Sequence, residues 1–134
     1  MRIIICDDIQ KDRKTIRAAL DTYAAAHPEY HVEIDEYNAA ADVLRRMEKE
    51  AYDIALMDIC MPGVPGTDAA EEMLAKYPEI IKIGASYVIN SDFVRSISGN
   101  NIEMQGGAKI PVPRRSVEEV QRAYMEYCRK EARK

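Results

Sequence analysis

Asp53-Ile-Ala-Leu-Met-Asp-Ile-Cys-Met-Pro-Gly-Val-Pro-Gly66 is the stretch whose reading decides the fold. Ile54 to Met57 are apolar without alternation, as expected of a strand covered on both faces in a parallel sheet. The run stops at a carboxylate, Asp58, followed by the turn formers Pro62, Gly63, Pro65 and Gly66. In open α/β sheets ligands bind at the C-terminal edge of the strands, so Asp58 is placed for chemistry and not for packing.

A second acidic pair lies upstream. Arg2 to Cys6 is a short β-branched run, Ile3-Ile4-Ile5, and it delivers Asp7-Asp8 just before a helical pattern begins. If these two strands are neighbours, three carboxylates converge in one pocket. Such a cluster is repulsive and needs either raised pKa values or a hard cation. Magnesium suits it, because that ion takes oxygen ligands, keeps several waters and prefers one or two carboxylates plus phosphoryl oxygens.

The remaining chain alternates strand and helix. Ile9, Ile16, Leu20, Tyr23 and Ala24 mark a first helix ending near His27-Pro28, and Val32 and Ile34 a short second strand with one wet side. Ala40, Val43, Leu44, Met47 and Ala51 form the stripe of a second helix. Thr67 is placed to cap a third, carrying Ala70, Met73, Leu74 and Tyr77, and Pro78 closes it. Ile80 to Ala85 reads as a fourth strand, and Ser91 or Asp92 begins a fourth helix through Phe93, Val94 and Ile97. Residues 99–108 are polar and Gly-rich with no helical stripe, Lys109 to Val112 reads as a fifth strand, and a last helix starts after Ser116. Five β-α units predict a doubly wound parallel sheet with helices on both faces. Strand order 2-1-3-4-5 puts strands one and three side by side at the topological switch point.

At 134 residues the chain makes one domain, 1–134, and 47% hydrophobic with 31% charged residues describes a soluble globular protein. The formal charge of −4 argues against a nucleic-acid-binding surface over the whole domain. From Arg114 to Lys134 seven basic residues face four acidic ones, a local +3 that leaves −7 on the rest. Three cysteines without Cys-x-x-Cys spacing point to a reducing compartment and away from a zinc site. No apolar run approaches a membrane span, and a cytoplasmic location without membrane contact is expected.

The acid pair after the first strand, Asp58 ending the third, Pro62 four residues beyond it and Gly66 eight beyond it together resemble the receiver domain of two-component response regulators. Ile5-Cys6-Asp7-Asp8 and Ala51-Tyr52-Asp53 are similar especially to the receivers of LytTR-type regulators. The resemblance implies the flavodoxin-like receiver fold and a regulatory domain, not an enzyme in the ordinary sense. Asp58 is then the phosphoacceptor for a sensor histidine kinase. Asp8, Asp58 and the backbone carbonyl of Cys60 would hold Mg²⁺ or Mn²⁺, with Asp7 acting mainly through water. The resemblance also implies a hydroxyl at the end of strand four and a Lys at the end of strand five, both directed at the phosphoryl group. Ser86, 28 residues after Asp58, takes the first place in preference to Ala85; Lys109, 51 residues after Asp58, takes the second, with Val112 before Pro113 as the alternative. Ile9 stands where many relatives carry an acid or polar residue.

Phosphorylation would then switch a face made of helix 4, strand 5 and helix 5, which receivers use to form homodimers or to grip an output domain. DNA would be reached only through such an output domain, which this chain does not encode. The basic tail from about Arg129 is either the start of a linker to it or the end of a stand-alone protein. Two other readings compete: a degenerate pseudo-receiver that works by dimerisation alone, and a phosphatase of the haloacid dehalogenase type. The latter needs a second Asp two residues after the nucleophile, where this chain has Cys60.

Overall fold

The computed structural model describes residues 1–57, 71–72, 74–83 and 87–134. Its centre is a five-stranded sheet in the order β2-β1-β3-β5-β4. The strands are β1 (Arg2–Cys6), β2 (Glu33–Tyr37), β3 (Ile54–Met57), β4 (Ile80–Ile83) and β5 (Tyr87–Asn90). β1 pairs in parallel with β2 on one side and β3 on the other, as the two apolar runs predict. Three helices accompany them: α1 (Gln10–Ala26), α2 (Ala40–Met47) and α3, whose described helical residues are 71–72 and 74–76. A last helix, α4 (Val117–Ala132), follows a 3₁₀ turn at Arg114–Ser116. Ser116 makes no side-chain capping bond there and is buried.

Alternation along the strands divides the core in two. Ile4, Cys6, Ala55, Met57 and Val88 face α2, where Ala40 and Val43 are buried against them. Full burial of a side chain such as Val43 contributes about 1.5–3 kcal/mol. Ile3, Ile54, Ile81, Ile83 and Ile89 point to the opposite face, which carries Leu20 of α1 and Val120 of α4. At the N-terminal rim, Asp53 ties three strands. Its Oδ1 accepts the Arg2 N–H at 2.7 Å, its own N–H donates to the Arg2 carbonyl at 3.0 Å, and its carbonyl accepts from Asn90 at 2.8 Å.

The α/β receiver-like layering expected from the sequence is present, but the all-parallel order 2-1-3-4-5 is not. β5 runs antiparallel to both β3 and β4 and lies between them, so the sheet is mixed. The expected fourth helix is absent as well: Ser91–Phe93 is a 3₁₀ turn, and Val94–Ser98 is a strand, β6. β6, β7 (Asn101–Met104) and β8 (Lys109–Pro111) form a separate antiparallel sheet in that order. The expected fifth strand is thus β8, outside the central sheet, and the helix 4–strand 5–helix 5 face is not built as such.

A bulge explains the misreading. The β6–β7 register shifts between Val94 and Ser96, so Val94 and Ile97, three residues apart as on a helix face, lie on one side of the sheet. The stretch 98–101 that looks like a helix stop is a hairpin: Ser98 pairs with Asn101 and positive φ is confined to Gly99 at +58°, as in a type II′ turn. Ile102 and Met104 of this small sheet, with Ala108 in the connection before β8, are buried together with Ile81, Ile83 and Ile89.

Candidate functional site

The C-terminal rim of β1 and β3 is where sequence and chemistry direct attention. Cys6 and Met57 are partners in the parallel ladder, so the residues preceding Asp7 and Asp58 in the chain stand side by side. Asp7 is only 7% exposed although its side chain is a carboxyl group. Its N–H continues the β1–β2 ladder by donating to the Tyr37 carbonyl at 3.1 Å. Its Oδ1 accepts the Ile9 N–H at 2.9 Å, closing the short turn that starts α1. Asp8 is exposed, and among the described residues it takes part in no ion pair.

Arg13, a residue the sequence reading passed over, belongs to this rim. Its Nη1 donates to the Asp7 carbonyl at 2.7 Å, bringing a guanidinium beside the acidic turn from the first turns of α1. The available signal was its position six residues after Asp7, where helix periodicity carries a side chain back toward the strand end. Arg13 also lines a polar depression of about 440 Å³ with Gln10, Lys14, Glu36, Tyr37 and Asn38.

Asp58, Cys60 and Ser86, with the Pro62 and Gly66 that carry the spacing argument, lie outside the described residues. Among the described residues no group of three acids, histidines or cysteines could hold a metal ion. Asp7 and Asp8 still supply two carboxylates at one strand end, and hard oxygen donors of this kind fit Mg²⁺.

Lys109 does not end a strand of the central sheet. It opens β8, opposite Glu103 of β7, and its exposed side chain borders a cavity on the sheet face together with Ile3, Ile54 and Leu56. Neither Asp7 nor Asp8 lines that cavity. The alternative residue, Val112, is buried at 3% exposure in the core with Val120. Among the described residues no helix is long and apolar enough to cross a membrane.

Comparison with known proteins bears on the same rim. The family profile described as "Response regulator receiver domain" matches residues 3–98, from β1 to the end of β6. The transcriptional regulatory protein DegU of Brevibacillus brevis is 32% identical over 80 residues, covering 60% of this chain and 32% of DegU. Among solved structures, the response regulator TrrA of Thermotoga maritima, in complex with Mg²⁺-BeF, is similar with a TM-score of 0.51 and 27% identity. That match covers 58% of this chain and 62% of TrrA. The response regulator StyR matches 98% of this chain and 63% of its own at a TM-score of 0.51 and 18% identity, a likeness of fold alone. The chain thus spans about a third of the length of DegU and somewhat under two thirds of TrrA and StyR.

Proposed function

We propose, from the premise that this chain belongs to the response regulator receiver family, that it accepts a phosphoryl group on Asp58 from a sensor histidine kinase. The observation carrying this reading is the pairing of Cys6 with Met57, which brings the Asp7-Asp8 turn alongside the strand leading into Asp58. A carboxylate oxygen of Asp58 attacks the phosphorus of a phosphohistidine. The P–N bond breaks, the imidazole leaves, and an acyl phosphate forms on Asp58. Ser86 donates its hydroxyl hydrogen to a phosphoryl oxygen. Asp8, Asp58 and the Cys60 carbonyl would hold Mg²⁺ or Mn²⁺, and Asp7 would orient its water. Bound there, the ion offsets negative charge on the transferring group. TrrA was crystallised with Mg²⁺-BeF, which supports the same ion here. Lys109, which the family pattern directs at the phosphoryl group, opens β8 outside the central sheet.

The proposed output is transcriptional. DegU is a transcriptional regulatory protein, and Ile5-Cys6-Asp7-Asp8 with Ala51-Tyr52-Asp53 resembles the LytTR type. Such a role places the chain in the cytoplasm with a kinase partner, acting on DNA through a separate output domain.

Incubation with acetyl phosphate and Mg²⁺ tests the assignment by mass spectrometry. One added phosphoryl group is expected, lost with EDTA and in Asp58→Asn; a label that persists in Asp58→Asn overturns it.

A second reading is favoured by a specific observation. Residues 94–104 form strands where a helix 4 switch face was expected, so a pseudo-receiver acting without phosphorylation fits the remodelled half. Under that reading, beryllofluoride with Mg²⁺ leaves the NMR spectrum unchanged. Under the first, it shifts resonances around Asp7 and Asp8.

A further inference from the structure

Among the described residues, the face of the central sheet that carries α1 is incompletely covered. β3 is flanked by β1 and β5, and a strand so placed is normally covered on both faces; Leu56 is nevertheless only half-buried. α1 lies over this face for 17 residues without burying one of its side chains completely. Between them is a cavity of about 330 Å³ whose walls include Met1, Ile3, Leu20, Ile54, Leu56 and Ile110. The lining is almost wholly apolar. Among the described residues its one charged side chain is Lys109, which is exposed, while the Met1 ammonium is taken up by the Tyr30 and His31 carbonyls at 2.9 and 3.1 Å.

Lys109 is not engaged elsewhere in the described structure. Glu103, its opposite number in the β7–β8 ladder, is paired with Arg95 at 3.1 Å, and among the described residues no ion pair involves Lys109. Two tyrosines, Tyr23 and Tyr87, also line the cavity; the Tyr87 hydroxyl is already committed, donating to the Pro111 carbonyl at 2.8 Å and tying β8 to the start of β5. An apolar chamber with one unpaired cation at its mouth is complementary to an apolar chain bearing one negative charge.

We propose that this cavity binds a medium-chain aliphatic carboxylate, its tail against Leu20, Ile54 and Leu56 and its head at Lys109. Size sets the class. An apolar cavity of about 150 Å³ holds benzene, so about 330 Å³ accommodates on the order of a dozen carbons. The volume also falls within the range of small-molecule sites, which combine apolar walls with a few placed polar groups. The proposal does not rest on the phosphoacceptor reading: it is argued from Leu20, Ile54, Leu56 and Lys109, and neither Asp7 nor Asp8 lines the cavity.

Titration of methyl-labelled protein with octanoate, octanol and octylammonium tests it by NMR. Octanoate is expected to produce saturable shifts at the methyls of Leu20, Ile54 and Leu56, and octylammonium to bind more weakly than octanoate. Lys109→Met, at an exposed position that leaves packing intact, is expected to weaken octanoate about two- to fivefold, the worth of one partly exposed ion pair, while octanol is unaffected. Absence of saturable shifts at these methyls, equal binding of the cationic and anionic amphiphiles, or an unchanged octanoate affinity in Lys109→Met would each overturn it.

Discussion

Oδ1 of Asp7 accepts the backbone N–H of Ile9 at 2.9 Å, so this carboxylate shapes the turn into α1 as well as charging the rim. The two roles separate by substitution. Asp7→Asn keeps an oxygen acceptor for Ile9 and removes the charge, so its melting temperature is expected to be no lower than that of the parent. If Asp7 orients a metal-bound water, the same variant weakens Mg²⁺ about 10- to 100-fold, as loss of an outer-shell partner does. Asp7→Ala loses the acceptor too and is expected to cost about 1 kcal/mol of stability. Thermal melts and Mg²⁺ titration calorimetry on the pair check both effects.

Tyr52 provides a pH-dependent prediction. Its ring is 2% exposed, its hydroxyl donates to Asp35 Oδ2 at 2.5 Å, and the Arg46 Nε donates to that hydroxyl at 3.4 Å. Burial, then the bond to Asp35, push the phenol well above its ordinary value. The native state therefore favours the neutral phenol. Its contribution is fully present below the ordinary tyrosine pKa of about 10 and is lost as pH rises through the raised one. Tyr52→Phe is expected to lower stability by about 1–2 kcal/mol at neutral pH, because Asp35 loses a donor. It should also flatten the decline that sets in above pH about 10. Urea midpoints across that range read both, with an unchanged m-value showing that compactness is kept.

The first half of the fold was legible because its signals are redundant. Ile3-Ile4-Ile5 and Ile54–Met57 are apolar on both faces, and α1 and α2 carry unbroken helical stripes that end within a few residues of their predicted limits. Beyond Ile83 each local signal admitted two answers. Tyr87-Val88-Ile89 is a β-rich run between the expected fourth strand and fourth helix, and it is inserted antiparallel between β3 and β4. The bulge after Val94 made a strand imitate helical spacing. Gly99-Asn100 was a hairpin signature read as a helix stop, and Gly107, at φ +99°, turns the chain between β7 and β8. At the candidate site, Asp7 and Asp8 fell where predicted at the end of β1. Lys109 did not, since distance along the chain from Asp58 says nothing about which sheet a strand joins.

Tyr127 anchors the end of the last helix. Its hydroxyl donates to Asp92 at the start of the small sheet, and burial together with that bond raises its pKa. Two turns earlier on the same face of α4, Val120 is 1% exposed among Ile81, Ile83 and Ile102. Val120→Ala is expected to cost about 2 kcal/mol and Tyr127→Phe about 1 kcal/mol, since the Asp92 carboxylate can still reach water. Urea denaturation of the two variants should place them in that order. The reverse order would mean that α4 is held by its polar tip instead of its buried face.

The small sheet makes a claim that separates this fold from an all-parallel one. If Val94–Ser98 were a surface helix followed by a loop, Ile102 would lie in a polar, Gly-rich segment and its truncation would be nearly neutral. In the observed structure Ile102 is completely buried, pairs with Ile97 and Ile110 in the two ladders, and packs against the β4–β5 hairpin. Ile102→Ala is therefore expected to cost about 3 kcal/mol, the transfer term plus a residual cavity that a three-stranded sheet cannot close. Hydrogen exchange gives an independent check. The amides of Ile97 and Ile102 should exchange slowly together, while those of Gly99 and Asn100 in the turn exchange fast. Near-parent stability of Ile102→Ala, with fast exchange at both isoleucines, would exclude the second sheet and return residues 94–104 to the helical arrangement first read from their spacing.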